Sequence, residues 1–143
     1  MSQPERGPVV IDTGVFGADL VPGSPLTPLY EPLIAGRPAF ISFQTIAELR
    51  YGAIRRGWGD HRMRRLEASI GRAEIVWAGP ELVDAYARLR ADCEAVGHAL
   101  GQRHHDADRW VAAVAVRLAV PLVSHDGIFH AVPGLLLETA LDL

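Results

Sequence analysis

Two aspartates each stand at the end of a short apolar run: Asp12 behind Val9-Val10-Ile11, and Asp126 just beyond Leu122-Val123-Ser124. Such runs read as buried strands. In an open α/β sheet the ligand site lies off the carboxyl ends of the strands, which is where both acids fall. Asp108 sits in the first turn of a helix expected over 107–119, where the helix dipole favours an anion. Ala112 and Ala115, at i+4 and i+7, let that face approach the sheet and point Asp108 at the helix mouth. Glu48 is the fourth acid, one turn into a helix expected over 45–56, on a side otherwise small or apolar (Thr45, Leu49, Gly52). A glutamate rarely faces a core unpaired. Gly52 at i+4 costs the helix about 1 kcal/mol relative to alanine, a hint of crowding above Glu48.

Singly, each of these acids is more often structural than catalytic. Gathered, they repel by about 4 kcal/mol per pair at about 4 Å and an effective dielectric of about 20, so the group needs a cation or shared protons. Oxygen-only ligands select Mg²⁺ or Mn²⁺, and a hard divalent ion with several waters left on it is the arrangement that activates water against a phosphodiester. The chemistry expected of Asp12, Glu48, Asp108 and Asp126 is that of a nuclease.

Competing chemistries are weaker. Ser124-His125-Asp126 has the residue types of a hydrolase triad, but neighbours on an extended chain point to alternating sides and cannot relay a proton. His98, His104 and His105 lie in or beside a loop expected over 97–105 without a helical i, i+4 pairing, which argues against a histidine metal site; Arg103, His104 and His105 could instead meet RNA phosphates at a rim. Cys93, the single cysteine, fits a core position, and one cysteine permits no internal disulfide. All 14 basic residues are arginine. Without lysine, a P-loop, a pyridoxal Schiff base and the phosphotransfer sites that pair aspartate with lysine cannot be built in their usual form.

The net charge of −3 is unevenly spread: seven arginines stand against Asp60 and Glu67 between Arg50 and Arg72, a local +5 that leaves −8 elsewhere. That stretch is either a solvated helix face or a footprint for phosphate, with Arg55, Arg56, Arg62 and Arg65 as the candidates for contacts to a nucleic-acid backbone.

These groups need a scaffold, and 143 residues at 49% hydrophobic suffice for one domain, 1–143, with a real core. No apolar run is long enough for a membrane span, and residues 1–8 lack a leader's basic and apolar regions, so the expectation is a cytoplasmic protein with no membrane partner. Strands are expected at 8–11, 39–42, 74–77, 122–124 and 135–137. Helices are expected after Thr13 as a cap, at 26–34 and 45–56, after Asp60 as a cap, and at 81–96 and 107–119. In the helix after Asp60, Met63, Leu66, Ile70 and Ala73 share one face and Arg62, Arg65, Ser69 and Arg72 another. In 81–96 the core face is Leu82, Ala85, Tyr86, Leu89, Cys93 and Val96. Alternating strands and helices imply an α/β domain with a mostly parallel sheet covered on both faces.

Four stretches carry a family likeness: VVIDTGVF at 9–16, TIAELRYGA at 45–53, DRWVAAVAVRLAVPLVSHD at 108–126 and IFHAVPGLLL at 128–137. Over essentially its whole length the chain resembles the PIN-domain nucleases, and within them the VapC-type toxins of bacterial type II toxin-antitoxin pairs. The resemblance implies a PIN-like three-layer α/β/α domain and a metal-binding acidic quartet of Asp12, Glu48, Asp108 and Asp126, with the hydroxyls of Thr13 and Ser124 in support. It implies Mg²⁺- or Mn²⁺-dependent endoribonuclease activity on structured RNA, such as tRNA or a ribosomal RNA loop. It also implies a homodimer held by a VapB-like antitoxin. Counted back from Trp110 the family frame selects Asp108, which leaves Asp106 as a helix cap or an additional ligand. Gly14 stands where the family often has a small polar residue, so no side chain assists from there. Attack by an activated water would leave 5′-phosphate and 3′-hydroxyl ends. The rival readings are a DNA-cleaving or DNA-binding PIN protein, a non-catalytic PIN binding module, and, with the family set aside, an α/β domain that merely binds Mg²⁺ or a small anion.

Overall fold

The apolar runs do become strands. In the computed structural model, which describes residues 6–143, β1 (Val9–Ile11), β2 (Ala39–Ser42), β3 (Glu74–Val76), β4 (Leu122–Val123) and β5 (Leu137–Glu138) form one sheet in the order β3-β2-β1-β4-β5. Every pairing is parallel, with Val10 opposite both Phe40 and Leu122. Residues 1–5, part of the stretch read above for a leader, lie outside the described residues.

Among the described residues six α-helices cover the two faces: α1 (Thr13–Phe16), α2 (Leu26–Ile34), α3 (Phe43–Arg55), α4 (Asp60–Gly71), α5 (Pro80–Ala95) and α6 (Asp106–Leu118). The alternation of strand side chains decides which core each joins. Val10 and Leu122 point to the side of α5 and α6, packing with Leu82, Leu89, Cys93 and the alanine-rich stripe of α6. Val9, Ile11, Ile41 and Val123 point to the other side, against Val15, Tyr30, Ile46, Leu66 and Ile70 from α1 to α4. The result is the expected three layers. Because the chain winds from β1 outward through β2 and β3 and then returns to build β4 and β5 on the other side, the direction of winding reverses between β1 and β4.

Element boundaries differ from the sequence reading in instructive ways. Helix α3 starts at Phe43, not residue 45, because Ser42 ends β2 and also caps the helix, its Oγ accepting from Gln44 N at 3.1 Å. Gly59, not Asp60, occupies the cap of α4, and Asp60 lies in its first turn. Helix α5 stops at Ala95, which leaves Val96 67% exposed instead of in the core. Strand β3 ends at Val76, with Trp77 in solvent. The last strand is Leu137–Glu138 and not 135–137; Arg37 makes a charged residue tolerable there by pairing with Glu138 at 3.1 Å.

Helix α6 ends on Ala119 in the left-handed conformation (φ 54°), its N–H returning to the Ala115 and Val116 carbonyls. A Cβ is disfavoured there by about 1–2 kcal/mol, whereas Gly57 and Gly97, which follow α3 and α5 at φ 65° and 71°, bear no such strain. Ala119→Gly should therefore raise unfolding stability by about 0.5–1 kcal/mol after allowing for glycine's greater unfolded-state entropy. Chemical denaturation measures it, and a lower midpoint for the variant would show that the turn is not strained.

Candidate active site

The mouth of the sheet is organised by Asp12. Leaving β1 in extended conformation, it caps α1: Oδ1 accepts from Thr13 N at 2.8 Å, while Oδ2 accepts from Ser124 Oγ at 2.7 Å across the β1–β4 seam. Ser124 Oγ in turn accepts from Asp126 N at 3.0 Å. The cap is thus Asp12 and not Thr13, whose hydroxyl instead donates to Thr45 Oγ1 at 3.0 Å and ties α1 to α3. Glu48 lies one turn beyond Thr45, with Gln44 Nε2 donating to its Oε1 at 3.3 Å. Asp108 comes from the first turn of α6, its Oδ2 3.2 Å from His105 Nδ1. Asp126 caps the short turn after β4, accepting from Ile128 N at 3.0 Å.

Chain segments far apart in sequence therefore bring Asp12, Glu48, Asp108 and Asp126 to the wall of one open pocket of about 310 Å³, together with Thr13, Gly14, Leu26 and His125. Burial pushes the Asp12 carboxyl up to about 6, with the charges of Asp108 and Glu48 adding to the effect and the bonds from Ser124 and Thr13 opposing it. Among the described residues no three His, Cys, Asp or Glu side chains close around a single point as chelating ligands. The acids line a cleft and do not form a cage.

Asp106 is placed elsewhere. It is the first residue of α6, with His105 at the cap position and no side-chain cap bond, so it is not the helix cap. Its carboxylate accepts from the Tyr86 hydroxyl and lies 3.6 Å from the Arg109 guanidinium, away from the pocket wall. Arg109 was not singled out from sequence, and it is 1% exposed. It donates to Tyr86 Oη, to the Leu100 carbonyl at 2.9 Å and to the Gln102 carbonyl, which fastens the turns of residues 99–105 against α6. The signal was present: Arg109 shares the helical face of Ala112, Ala113 and Val116 and so falls at a core position. His98 is used up in the same loop, accepting from Leu100 N and meeting the His130 carbonyl.

The arginines divide. Arg62 stacks over Trp58 at 3.9 Å and donates to the Leu20 carbonyl at 3.1 Å, so it belongs to the fold. Arg56 lines a second pocket, of about 370 Å³, that shares Thr13, Gly14 and Glu48 with the first. A Cβ at Gly52 would meet the Arg56 guanidinium at 3.3 Å and not Glu48, so the crowding expected above Glu48 is absent. Arg55 and Arg65 are exposed. His125, dismissed above as a triad member, meets the buried Tyr30, which the sequence did not single out, in a 2.7 Å contact from Oη to Nδ1 at the pocket wall.

Fold and pocket together define a class: a parallel three-layer α/β domain with a carboxylate-lined mouth at the reversal between β1 and β4. The model of the PIN domain matches residues 9–135. The chain is 33% identical over 127 residues to Ribonuclease VapC5 of Mycobacterium tuberculosis, covering 87% of both chains. Among solved structures it is similar to VapBC-5 of M. tuberculosis (TM-score 0.65, 27% identity, covering 92% of this chain and 96% of that one). It is similar in fold to VapBC2 of Rickettsia felis bound to a promoter DNA fragment (TM-score 0.75, 22% identity, covering 92% and 98%). The chain belongs to the PIN-domain family, on its VapC branch.

The raised Asp12 pKa has a definite sign. A carboxyl whose folded pKa of about 6 lies above its ordinary 3.8 favours the folded state when protonated. Its ionisation therefore opposes folding above pH 6, an effect that fades as pH falls from 6 to 3.8 and is absent below. In EDTA, Asp12→Asn should be more stable than wild type at pH 7.5 by up to about 3 kcal/mol, and the difference should vanish near pH 4. Thermal melts across that range check it; a gap independent of pH would mean the carboxylate is well solvated.

Proposed function

We propose that the chain is a metal-dependent endoribonuclease toxin that cleaves structured RNA, tRNA or a ribosomal RNA loop, and is held in check by a VapB-like antitoxin. The observation that carries this reading is the convergence of Asp12, Glu48, Asp108 and Asp126 on one open pocket at the reversal of the sheet. The ribonuclease name of the VapC5 relative supports the choice of RNA, and the VapBC assemblies among its structural neighbours support the partner. The reading includes a homodimer, as the family resemblance implies. In this reading the protein works in the cytoplasm, and no helix among the described residues is long and apolar enough to cross a membrane.

The donor set fits Mg²⁺ or Mn²⁺. It is made of carboxylate oxygens on the wall of an open pocket, which leaves room for an ion to keep much of its water, as Mg²⁺ does. When bound, such an ion supplies Lewis-acid stabilisation of the charge that develops on the phosphodiester. The chain's own groups hold the acids in place. Ser124 and Thr13 fix both oxygens of Asp12, Gln44 restrains Glu48 and His105 restrains Asp108. Asp106, committed to Tyr86 and Arg109, is left out of the ligand set.

Purified protein incubated with total cellular RNA and Mg²⁺ or Mn²⁺ should give discrete cuts with 5′-phosphate and 3′-hydroxyl ends, abolished by EDTA and by Asp12→Asn. Mapping of new 5′ ends reads this out, and folded, antitoxin-free protein that cuts nothing would exclude the activity.

Substrate-backbone contacts are assigned to the exposed Arg55 and Arg65 and to Arg56 beside the pocket. Arg→Glu changes at positions 55 and 65 should weaken RNA binding and flatten its log–log salt slope by roughly 0.7–0.9 for each phosphate that is no longer neutralised. Arg62→Glu should instead lower thermal stability by breaking the Trp58 stack. Unchanged salt slopes in the first two variants would mark the stripe as merely solvated.

A further inference from the structure

Tyr30, 1% exposed, holds its hydroxyl where four groups converge: the Ser124 carbonyl at 3.1 Å, His125 Nδ1 at 2.7 Å, Thr139 Oγ1 at 3.2 Å and Ala140 N at 3.1 Å. A phenol has one hydrogen and two lone pairs, so the protons can be assigned by counting. Ala140 N–H can only donate, which fills one lone pair. The Ser124 carbonyl can only accept, and among the described residues it has no other hydrogen-bond donor. Leaving it unpaired in this buried position would cost about 1–3 kcal/mol, so the phenolic hydrogen goes to Ser124. The 2.7 Å contact to His125 is then an Nδ1–H donating to Tyr30. Thr139 Oγ1, the longest of the four contacts, has Leu141 N–H as its own donor at 3.1 Å.

That assignment fixes the outward side of the imidazole. With Nδ1 carrying the hydrogen, Nε2 of the neutral ring presents a lone pair, and the edge-on packing of the two rings (centroids 5.4 Å apart, planes at 85°) restrains the ring's plane. His125 lines the pocket with Asp12, Glu48, Asp108 and Asp126. Ionised carboxylates are acceptors only and offer Nε2 no hydrogen. With Nδ1 engaged by Tyr30, Nε2 gives the pocket a nitrogen acceptor beside the carboxylates and the Thr13 hydroxyl, suited to a donor brought by the ligand. Along an RNA strand the sugar–phosphate backbone has one such donor, the 2′-hydroxyl, which DNA lacks.

We propose that His125, set by Tyr30, accepts a hydrogen bond from the 2′-hydroxyl of a nucleotide at the cut and so selects ribose over deoxyribose in the acidic pocket. The inference rests on the ribonuclease reading above and adds to it a residue that distinguishes the two sugars. His125 contacts substrate; Tyr30 acts through it and is a positioning residue.

The test uses a short RNA containing the mapped cut, with single 2′-deoxy substitutions at each nucleotide beside it. In wild type, one substitution should lower kcat/KM by about fivefold to tenfold, the value of one hydrogen bond. His125→Phe keeps a ring against Tyr30 but removes both nitrogens. It should slow the all-ribose substrate by a similar factor and abolish the further effect of the 2′-deoxy substitution, and Tyr30→Phe should reduce that effect. A 2′-deoxy penalty of equal size in wild type and His125→Phe overturns the inference, as does a wild type indifferent to every such substitution. Products ending in 2′,3′-cyclic phosphate would also overturn it, since the histidine would then serve as a base for the 2′-oxygen. The tautomer is checked without turnover by ¹⁵N NMR of the wild-type imidazole: a hydrogen on Nδ1 is expected, and one on Nε2 refutes the assignment. Failure of wild type to cut any RNA would remove the ribonuclease reading itself, a result distinct from intact cleavage with unchanged sugar preference.

Discussion

An aspartate at the end of a central, fully buried strand must be held ionised or neutral by something, and the mouth of this fold is arranged around that requirement. Asp12 follows a strand that is flanked by β2 and β4 and covered on both faces, and it stands half-buried at the wall of the pocket. Its two oxygens are taken by an α1 backbone N–H and a β4 hydroxyl, which together pin the helix start and the exit of the neighbouring strand. Those bonds favour the charged form and burial disfavours it; burial prevails, and the carboxyl is raised. The other three acids then sit around a group that is poised between its protonation states and sensitive to any cation that enters.

Ser124 shows how closely strand order and site are coupled. It is fully buried, it donates to Asp12 across the sheet, and it accepts from the backbone of Asp126. One hydroxyl therefore ties the Asp12 carboxylate to the backbone that carries Asp126, most of the sequence away. A parallel sheet makes this possible, because both strands deliver their carboxyl ends to the same edge.

The local signals in the sequence were enough for the strands, the helices and the four acids that meet at the pocket. Apolar runs ending in aspartate, an acid in a first helical turn and a glutamate on an otherwise apolar helix side are properties of short segments. What eluded the reading was of two kinds. Boundaries slipped where one residue serves two elements, as Ser42 does at the β2–α3 junction, or where an ion pair admits a charge to a strand, as Arg37 does for Glu138. The arginine stripe looked uniform because periodicity cannot distinguish a guanidinium stacked on Trp58 from one in solvent. Long-range groupings stayed hidden altogether: Tyr30 with His125, and Arg109 with Tyr86 and the carbonyls at positions 100 and 102, are contacts that only the folded chain creates. Arg109 could have been suspected from its place on the apolar face of α6, and Asp106 would then have had its partner.

The seam between β1 and β4 also bears on how the protein is made. Asp12 and Ser124, which share the hydrogen bond at its end, are 112 residues apart, and β5 must still pair outside β4. A ribosome adding about 5–20 residues each second has completed β1, β2 and α3 well before the second half of the seam exists. During that interval Asp12 and Glu48 are present but unassembled. The pocket therefore cannot assemble until the segment carrying β4 and Asp126 has been made.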